Sequence, residues 1–370
     1  MISQELKSSR KPLTIVHSFF REIESIKKNI LLKRRIKRFD KMYAALVKDN
    51  SILTKKQKEE IDEFWHVFAP VCYSSFSFYT EKTGIFDIRY IPDSLHRSII
   101  DGFFNDWTAA KYLDNKCYYP LMFQDVNIPK TIAYRLNGLW YSDWGVVIKY
   151  QQVLNDVMFQ EECFIKKATD SWGGLGVVYF KPSDHSVEEL TKIIDGFPCD
   201  IIIQQGIKQS KAIAKVNPDS VNTIRTMSML KKDGTVKIYS SILRMGIKGA
   251  KVDNASSGGI STGIKPDGRL KDVAYSNEGV RYEEHPTSHV KFGSVVIPNF
   301  NKIEDLVVKL HPRFPHFRLI SWDIAVDIND EPILIEANLC DGELDFHQLN
   351  NGPVFGDDTE AILAEVFHKK

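Results

Sequence analysis

A chain of 370 residues with 49 Lys+Arg, 48 Asp+Glu and 43% hydrophobic residues has the balance of an ordinary globular protein. This composition excludes wholesale disorder, and no stretch reaches the ~18 consecutive apolar residues of a membrane-spanning helix. The five cysteines are scattered without a C-x-x-C pair, which predicts reduced thiols rather than disulfides or a zinc site. The amino terminus lacks the apolar core and cleavage site of a signal peptide. We therefore expect a cytoplasmic protein of two or three compact units.

Residues 1–50 are predicted to form a basic helical arm. Residues 1–48 contain thirteen basic and four acidic residues, a net charge of about +9. Apolar residues recur within the arm at helical spacing: Phe19, Ile23, Ile26, Ile30 and Leu31. Two interpretations stay open, a solvated helix face packed on the body or a surface for anionic lipid head groups or a polyanionic substrate. No aromatic-interleaved basic groove predicts nucleic-acid binding.

The next segment is predicted to be an α/β region. A helix over residues 55–65 is predicted to begin after Thr54, which is a favourable N-cap. The aromatic stretch Tyr73–Tyr90 is predicted to be strand-like, and helical spacing resumes from residue 94. A boundary is expected near residues 110–125.

Beyond about residue 127 the sequence takes on a β character. Strands are predicted over residues 131–136, 139–142, 162–167, 177–180, 200–205, 223–230, 235–245, 321–327 and 331–338. Helices are predicted over residues 187–195, 304–310 and 359–367. Strands mixed with helices indicate an α+β or mixed α/β body, with a second boundary near residues 182–200.

Residues 321–338 predict a tight hairpin that carries two carboxylates. If Asn329-Asp330 form a two-residue loop, Asp323 lies directly opposite Glu336, with Cβ atoms about 4.5–5.5 Å apart. Asn338 points to the same face as Glu336, because strand side chains alternate. Two close carboxylates repel each other unless a cation lies between them, and oxygen-only ligands suit Mg²⁺ better than zinc. The alternative is a pair of ordinary exposed charges or a structural Ca²⁺ site.

A glycine-rich loop follows a predicted strand that ends in Lys166-Lys167. Gly173, Gly174 and Gly176 allow the backbone to turn and to bring N–H groups close to a phosphate. A lysine just before the loop would add a point charge. The loop matches neither a Walker A motif nor G-x-G-x-x-G, and a simple hairpin turn is the alternative.

A second hairpin is predicted to place two arginines on one sheet face. If Asp233-Gly234 form its turn, Arg225 and Arg244 are diagonal neighbours. Two such arginines require an anion between them and would bind a phosphoryl or carboxylate group. The alternative is a solvated sheet face. A polar loop is predicted over Val252–Ile264.

In this order, the motifs resemble the ATP-grasp superfamily, and more closely its sugar-transfer-associated branch of polysaccharide-biosynthesis proteins. The similar segments, in chain order, are DNK at 114–116, FIKK at 164–167 with GGLG at 173–176, IIIQQ at 201–205, NTIRT at 222–226, LRMG at 243–246, VDN at 252–254 with GG at 258–259, and WDIAVD at 322–327 with IEAN at 335–338. The resemblance implies an α+β ATP-grasp fold with two lobes that bind ATP between them. It implies an N-terminal region over 51–125, a small lobe over 126–200 and a large lobe over 201–370.

The resemblance also implies ATP and Mg²⁺ as cofactors. Asp323, Glu336 and Asn338 match the family's metal-ligand spacing of thirteen and then two residues. The residues implied to contact ATP are Lys116 and Lys166 at the phosphates, Gly173, Gly174 and Gly176 in the covering loop, and Gln204, Gln205 and Ile207 near adenine. Lys167 is the alternative to Lys166.

For the second substrate, the resemblance implies a carboxylate acceptor. Arg225 and Arg244 would face the transferring phosphoryl group and the acceptor carboxylate, and Asp253 and Asn254 would line the acceptor pocket. His347, just past the metal strand, is either a structural histidine or a residue that contacts the acceptor or carries a proton.

The implied activity is that of an ATP-dependent carboxylate–amine ligase that works through an acyl-phosphate. An amide on a sugar acid or amino acid in surface-polysaccharide biosynthesis is its expected form. A kinase on the same fold and a non-catalytic nucleotide-binding scaffold are the alternatives. The partners expected are ATP, the carboxylate and the amine, with a peripheral contact between the arm and anionic membrane.

Overall fold

The computed structural model describes residues 30–49, 51–169, 176–249 and 258–368 of the chain. Within those ranges the chain folds into two antiparallel sheets and a set of helices, which confirms the predicted α+β class. None of the helices in the described part of the chain is long and apolar enough to cross a lipid bilayer.

The amino-terminal part of the described chain is helical. It contains α1 (residues 30–46), α2 (Lys55–Trp65), α3 (Ser74–Thr83), a helical segment with a π-helical middle (Asp93–Leu95, His96–Ile100 and Asp101–Phe104) and α4 (Trp107–Leu113). Thr54 caps α2 as predicted. Its side chain accepts a hydrogen bond from the backbone N–H of Gln57 (3.2 Å), which completes a capping box.

The predicted strand within Tyr73–Tyr90 is wrong, because the structure forms α3 there. Residues 74–79 are all buried, in an aromatic cluster that includes Trp65. A half-buried strand would bury alternate residues, whereas a helix enclosed by protein buries every one. The β-prone aromatic composition therefore reflects burial. None of residues 51–125, all described, lies in a β-strand.

The small sheet has six strands in the order β3-β2-β1-β6-β4-β5. Its strands are β1 (Thr131–Leu136), β2 (Leu139–Asp143), β3 (Val146–Ile148), β4 (Cys163–Lys167), β5 (Val177–Phe180) and β6 (Ile201–Gln205). Helices α5 (Tyr150–Met158) and α6 (Val187–Asp195) cover one face of this sheet. The boundary predicted between the small lobe and the large lobe, after residue 200, falls inside this sheet, because β6 (Ile201–Gln205) lies between β1 and β4.

The face of the small sheet opposite α5 and α6 is called the cleft face. The 3₁₀ turn Lys116–Tyr118 packs on it, with Cys117 against Ala168 and Ile202. The backbone N–H of Lys116 donates to the backbone carbonyl of Ala168 (2.9 Å). This turn therefore belongs to the small sheet although it precedes it in the chain.

The large sheet has seven strands in the order β11-β10-β9-β8-β7-β12-β13. Its strands are β7 (Thr223–Leu230), β8 (Val236–Met245), β9 (Ile260–Ile264), β10 (Leu270–Ser276), β11 (Arg281–Tyr282), β12 (Leu319–Val326) and β13 (Pro332–Asn338). Helix α7 (Phe300–Leu310) packs on one face. Helices α8 (Leu344–Asn351) and α9 (Thr359–Phe367), with the amino-terminal helices, pack on the other.

The polar loop predicted over Val252–Ile264 is wrong in its last part. Ile260–Ile264 forms β9, in which all five residues are buried, and Ser261 pairs with Arg244 of β8. The buried hydroxyl groups are satisfied, since Thr262 Oγ1 donates to the backbone carbonyl of Val273 (2.8 Å). Small polar residues at an internal strand therefore gave the sequence its loop-like character.

Candidate active site

The two acidic residues of the predicted metal site face each other on adjacent strands. Asp323 on β12 pairs directly with Glu336 on β13, as the hairpin register predicted. The predicted two-residue loop is wrong, because the backbone N–H of Asp327 donates to the carbonyl of Glu331 (2.9 Å) and leaves three residues between them. A bulge next to Ile324 shifts the register by one residue and restores the predicted pair.

The hairpin of β7 and β8 repeats this arrangement. The predicted pairs of Arg225 with Ile242 and of Arg244 with Thr223 are both present. Its loop also has three residues, 232–234, and a second bulge compensates for the extra residue. The two guanidinium groups therefore lie on one face of the sheet, as predicted.

Asp323 lies between these two arginines. Arg225 forms a bidentate pair with it, from Nε to Oδ1 (2.7 Å) and from Nη2 to Oδ2 (2.6 Å). Arg244 Nη1 is 3.4 Å from the same Oδ2, and each of the three residues is 5–6% exposed. Burial alone would raise the pKa of the Asp323 carboxyl, but Arg225 and Arg244 lower it to about 2. The anion that the two arginines require is thus a carboxylate of the protein itself.

Glu336 is held by a lysine from the small sheet. Lys116 Nζ donates to Glu336 Oε1 across 2.6 Å, and Lys116 is 6% exposed. Burial alone would lower the pKa of Lys116, but Glu336 and Asp114 raise it above its ordinary value. The turn on the cleft face is therefore bonded to the acidic hairpin of the large sheet.

Six of the predicted site residues line one cavity of about 590 Å³. They are Lys116, Arg225, Arg244, Asp323, Glu336 and Asn338. The structure adds lining residues from α4, from the segment after β13 and from Thr169, which sequence reasoning missed: Trp107, Ala110, Lys111, Asp114, Thr169, Leu339, Cys340, Asp341 and Glu343. The charged lining therefore contains both signs, with four lysines and arginines against five aspartates and glutamates.

The segment Asp341–Glu343 is fixed next to the arginines. Glu343 forms an ion pair with Arg225, and Asp341 forms one with Arg97. Asp341 and Glu343 both have φ of 54°, a left-handed conformation that is uncommon for residues other than glycine. Between them, a Cβ on Gly342 would lie 2.5 Å from Oγ of Ser321. The D-G-E sequence was the available signal, but it reads as an ordinary exposed loop.

Lys166 and Lys167, the two candidates for the phosphate contact, lie on opposite faces of the small sheet. Lys166 on β4 pairs with Ile202 on β6, which packs on the cleft face with Cys117. Lys167 pairs with Ile201, which belongs to the core under the helices. Because directly paired residues share a face, Lys166 is the lysine on the side of the cleft.

Lys166→Ala is expected to weaken ATP binding by roughly tenfold or more, because a charge-assisted hydrogen bond is lost. Lys167→Ala is the matched control. Lys167 pairs with Ile201 on the face covered by the helices, away from the cleft, so this variant should bind ATP as the wild type does. Calorimetric titration with ATP measures both. Equal affinities, or a larger loss in Lys167→Ala, would reject the assignment of Lys166.

The two glutamines predicted near adenine are divided between the two faces. Gln204 lies two residues beyond Ile202 on β6 and therefore on the cleft face, and its Nε2 donates to the carbonyl of Pro129 (3.4 Å). Gln205 pairs with Cys163, whose side chain lies in the core under the helices. Only the Gln204 side chain is on the side of the cleft.

The remaining predicted residues have different outcomes. Gly173, Gly174, Asp253 and Asn254 lie outside the described residues, and their roles stay predictions. Ile207 is half-buried after β6 and is not among the cavity-lining residues in the described part of the chain.

His347 does not reach the cavity. It is completely buried in α8, with Nδ1 2.7 Å from Oγ of Ser240. Burial and the nearby Arg225 lower the pKa of His347 to about 3, so the imidazole is neutral near pH 7. Of the two interpretations, the geometry fits the structural histidine, because His347 is not among the cavity-lining residues in the described part of the chain, and a role towards the acceptor stays a prediction.

The donor set on β12 and β13 fits a hard divalent cation such as Mg²⁺. Asp323 and Glu336 supply carboxylate oxygens from opposed positions, and Asn338 supplies an amide oxygen. Asn338 Nδ2 donates to the carbonyl of Ser321 (3.0 Å), which fixes the amide plane. No three His, Cys, Asp or Glu side chains among the described residues form a metal cage. Metal binding would therefore need further oxygens from water or phosphate.

Two antiparallel sheets, bonded through the Lys116 turn to an opposed acidic pair, are the arrangement that the resemblance to the ATP-grasp class led us to expect. The family model described as sugar-transfer associated ATP-grasp matches residues 97–363. The chain belongs to this family.

Solved structures show similarity only at low sequence identity. The biotin carboxylase domain of the Hydrogenobacter thermophilus 2-oxoglutarate carboxylase, in complex with MgADP and bicarbonate, is 12% identical, has a TM-score of 0.44, and the match covers 85% of this chain and 57% of that one. The ATP-grasp ligase PsnB with minimal precursor is 11% identical with a TM-score of 0.41, and the match covers 71% of this chain and 64% of that one. The Staphylococcus aureus N5-carboxyaminoimidazole synthetase with ADP is 7% identical with a TM-score of 0.42, and the match covers 72% of this chain and 55% of that one. This chain thus spans less than two thirds of each structure's length, and no curated protein sequence matches it significantly.

Proposed function

We propose that the chain is an ATP-dependent carboxylate–amine ligase that works through an acyl-phosphate. The observation that carries the proposal is one cavity in which Lys116, Arg225 and Arg244 surround the opposed carboxylates Asp323 and Glu336. Phosphoryl transfer depends on positioning and on positive charge more than on a covalent protein group. Three cations fixed by hydrogen bonds in a buried site supply both, because they are already oriented before the reaction begins.

A carboxylate acceptor fits this cavity better than a hydroxyl acceptor. A hydroxyl group must lose its proton to a base during the transfer, whereas a carboxylate is already a nucleophile. Asp323 is held by Arg225, and its pKa of about 2 makes it a weak base. Glu336 and Glu343 are likewise bonded to cations, to Lys116 and Arg225 respectively. These three carboxylates are therefore poor candidates for the base that a hydroxyl acceptor requires, which supports the ligase.

In the proposed reaction, a carboxylate oxygen of the acceptor forms a bond to the γ-phosphorus of ATP as the bond to ADP breaks. The amine then attacks the carbonyl carbon of the acyl-phosphate, a C–N bond forms, inorganic phosphate leaves, and the amine nitrogen loses a proton. Arg225 and Arg244 would hold the oxygens of the phosphoryl group and of the acceptor, and Lys116 and Lys166 those of the nucleotide. Mg²⁺, held by Asp323, Glu336 and Asn338, would supply charge neutralisation at the phosphates.

The finer part of the proposal concerns the substrates. The sugar-transfer associated family match supports a sugar acid, such as a hexuronic acid unit, as the carboxylate in the synthesis of a surface polysaccharide. An amino acid or amino sugar would supply the amine. A scaffold without catalysis is disfavoured, because a scaffold does not require the complete set of opposed carboxylates, lysines and arginines.

Release of ADP tests the proposal directly. The full chain would be incubated with ATP and Mg²⁺ and with sugar acids and amino acids, singly and in pairs. Turnover that requires both a carboxylate and an amine would support the ligase and identify the substrate class. Turnover with a hydroxyl acceptor alone would instead establish a kinase.

Metal binding is expected to depend on nucleotide. The carboxylates of Asp323 and Glu336 are bonded to Arg225 and Lys116, so a cation alone must displace two buried ion pairs. Phosphates would give these side chains new partners. We therefore expect Mn²⁺, followed by electron paramagnetic resonance, to bind roughly tenfold or more tightly with a non-hydrolysable ATP analogue present.

Lys116→Met separates this coupling from a simple chelate effect. The variant keeps the apolar stem and frees Glu336, so Mn²⁺ affinity without nucleotide should rise. If the wild-type protein binds Mn²⁺ equally tightly with and without the analogue, then Arg225 and Lys116 do not compete with the cation for the carboxylates of Asp323 and Glu336.

A further inference from the structure

Helix α1 packs on the body through one face. Its inner side carries Ile36, Tyr43 and Leu46, with Phe39 beneath the guanidinium of Arg97 (5.6 Å), and the ring of Tyr43 makes an edge contact with Phe78 of α3 at 5.1 Å between centroids. Tyr43 is 2% exposed. The helix is therefore docked on the protein, and its opposite side is presented to the surroundings.

The outer side of α1 is strongly basic. All five of its lysines and arginines that point away from the body are exposed: Lys33, Arg34, Lys37, Arg38 and Lys41. At about 100° per residue, they occupy an arc of about 140° on the helix surface. The only acidic residue of residues 30–46 is Asp40, which is half-buried at the edge of that arc.

Within the part of the chain that the structure describes, these charges have no ion-pair partner. No ion pair among the described residues involves any of the five exposed basic side chains of α1. The neighbouring α2 shows the contrast, since its exposed Lys55 and Lys56 each have a carboxylate four residues along the helix. A dense, unpaired basic surface attracts an extended anionic partner.

The exposed apolar residues of α1 indicate that this anionic partner is a bilayer rather than a soluble polyanion. Ile30 (47% exposed) lies within the basic arc, and Leu31 (63%) and Met42 (44%) lie along its border. A soluble polyanion would contact the charges alone. A helix that combines a basic arc with exposed apolar side chains fits the head-group region of a membrane, which takes up both.

We propose that the outer face of α1 docks on a bilayer surface that contains anionic phospholipid. Lys33, Arg34, Lys37, Arg38 and Lys41 contact the phosphate head groups, while Leu31 and Met42 enter the boundary with the acyl chains. The docking is peripheral and does not require nucleotide or substrate.

Docking on this face would place the cavity beside the bilayer. The guanidinium of Arg35, on the inner side of α1, lies 5.6 Å from the ring centroid of Trp107, which lines the cavity. A helix is about 10 Å across, so the bilayer would lie about one helix away from the Trp107 wall. An acceptor attached to lipid would then enter from this side. That last consequence rests on the proposed function, whereas the docking does not.

Sedimentation with vesicles tests the docking in the full chain. Phosphatidylcholine vesicles with phosphatidylglycerol should bind the protein, and phosphatidylcholine alone should not. Lys37→Glu with Arg38→Glu should lower the partition coefficient by roughly tenfold or more. The matched control is Lys55→Glu with Lys56→Glu, which makes the same change of charge on exposed positions of α2 and should bind as the wild type does.

A second variant separates lipid from polymer. Leu31→Gln with Met42→Gln should weaken vesicle binding and leave binding to soluble dextran sulfate unchanged. Three results would overturn the proposal: no binding to anionic vesicles, wild-type binding by the Lys37→Glu/Arg38→Glu variant, or binding to dextran sulfate without binding to vesicles. Thermal unfolding of each variant confirms that the fold is kept. Since no ATP is present, failure here would leave the ADP-release test of the ligase unaffected.

Discussion

Glu336→Gln is expected to lower ATP-dependent turnover by roughly a hundred- to a thousandfold while the protein stays folded. The amide keeps the shape of the side chain and still accepts a hydrogen bond from Lys116, which lies 2.6 Å from Oε1 of Glu336. It removes the negative charge that a divalent cation requires opposite Asp323. The measurement is kcat/KM for ADP release, together with the midpoint of thermal unfolding.

Glu331→Gln provides the control for that variant. Glu331 precedes β13 on the same hairpin and forms an ion pair with Lys302 outside the cavity, with both side chains 45% exposed. We expect this variant to keep wild-type turnover. Full activity of Glu336→Gln would show that the metal assignment is wrong.

Asp323→Asn is expected to lower the free energy of unfolding by roughly 3–5 kcal/mol. Arg225 and Arg244 are 5% and 6% exposed, and both would lose their ion pair with Asp323, although Arg225 would keep its pair with Glu343. Urea unfolding near pH 7 measures the change, and Asp305→Asn on the exposed side of α7 is the control that should leave stability unaltered. A loss below about 1 kcal/mol would mean that the two arginines are not held by Asp323 in solution.

The same carboxylate predicts a dependence on pH. The pKa of Asp323 is lowered to about 2 in the folded protein, below its ordinary value of about 4. A lowered pKa means that the ionised carboxylate contributes its stability fully above about pH 4 and loses it as the pH falls through about 2. The difference in stability between the wild type and Asp323→Asn should therefore narrow over that window. A difference that stays constant down to pH 2 would contradict the assigned ion pair.

The two hairpins show how far sequence patterns extend. The pairing of Asp323 with Glu336 was predictable, although the loop assumed for it was one residue too short. The β7–β8 hairpin repeats the outcome, with Arg225 and Arg244 in their predicted positions. Each three-residue loop is compensated by a bulge between the loop and the site. Alternation of buried side chains fixes which residues must face inwards, and the backbone takes up the extra residue where it can.

Other features depended on contacts distant in sequence. The segment Tyr73–Tyr90 has a β-prone composition, and only its enclosure by α1, α2 and the large sheet makes α3 a helix. The buried strand Ile260–Ile264 was hidden by its small polar residues, which are satisfied by neighbouring chain segments.

The site itself was predictable as a set of residues but not as a bonded network. The sequence predicted that the anion between Arg225 and Arg244 would be a bound ligand, whereas the structure places the carboxylate of Asp323 there. The approach of Asp341 and Glu343 depends on a left-handed turn that no local pattern specifies. Interactions across more than one hundred residues, such as Arg225 with Glu343, leave no periodic signal in the sequence.

The bond between Lys116 and Glu336 has a kinetic consequence. It bonds the turn on the small sheet to the acidic hairpin of the large sheet, and under the proposed function Lys116 would have to leave Glu336 before it could contact the phosphates. Under the proposed function, we expect the turn, whose backbone is bonded to Ala168, to move away from the hairpin before nucleotide enters; a backbone movement on the microsecond-to-millisecond scale would hold the association rate constant below the diffusional range. Rapid mixing at rising nucleotide concentration would show this as an observed rate that levels off at the opening rate.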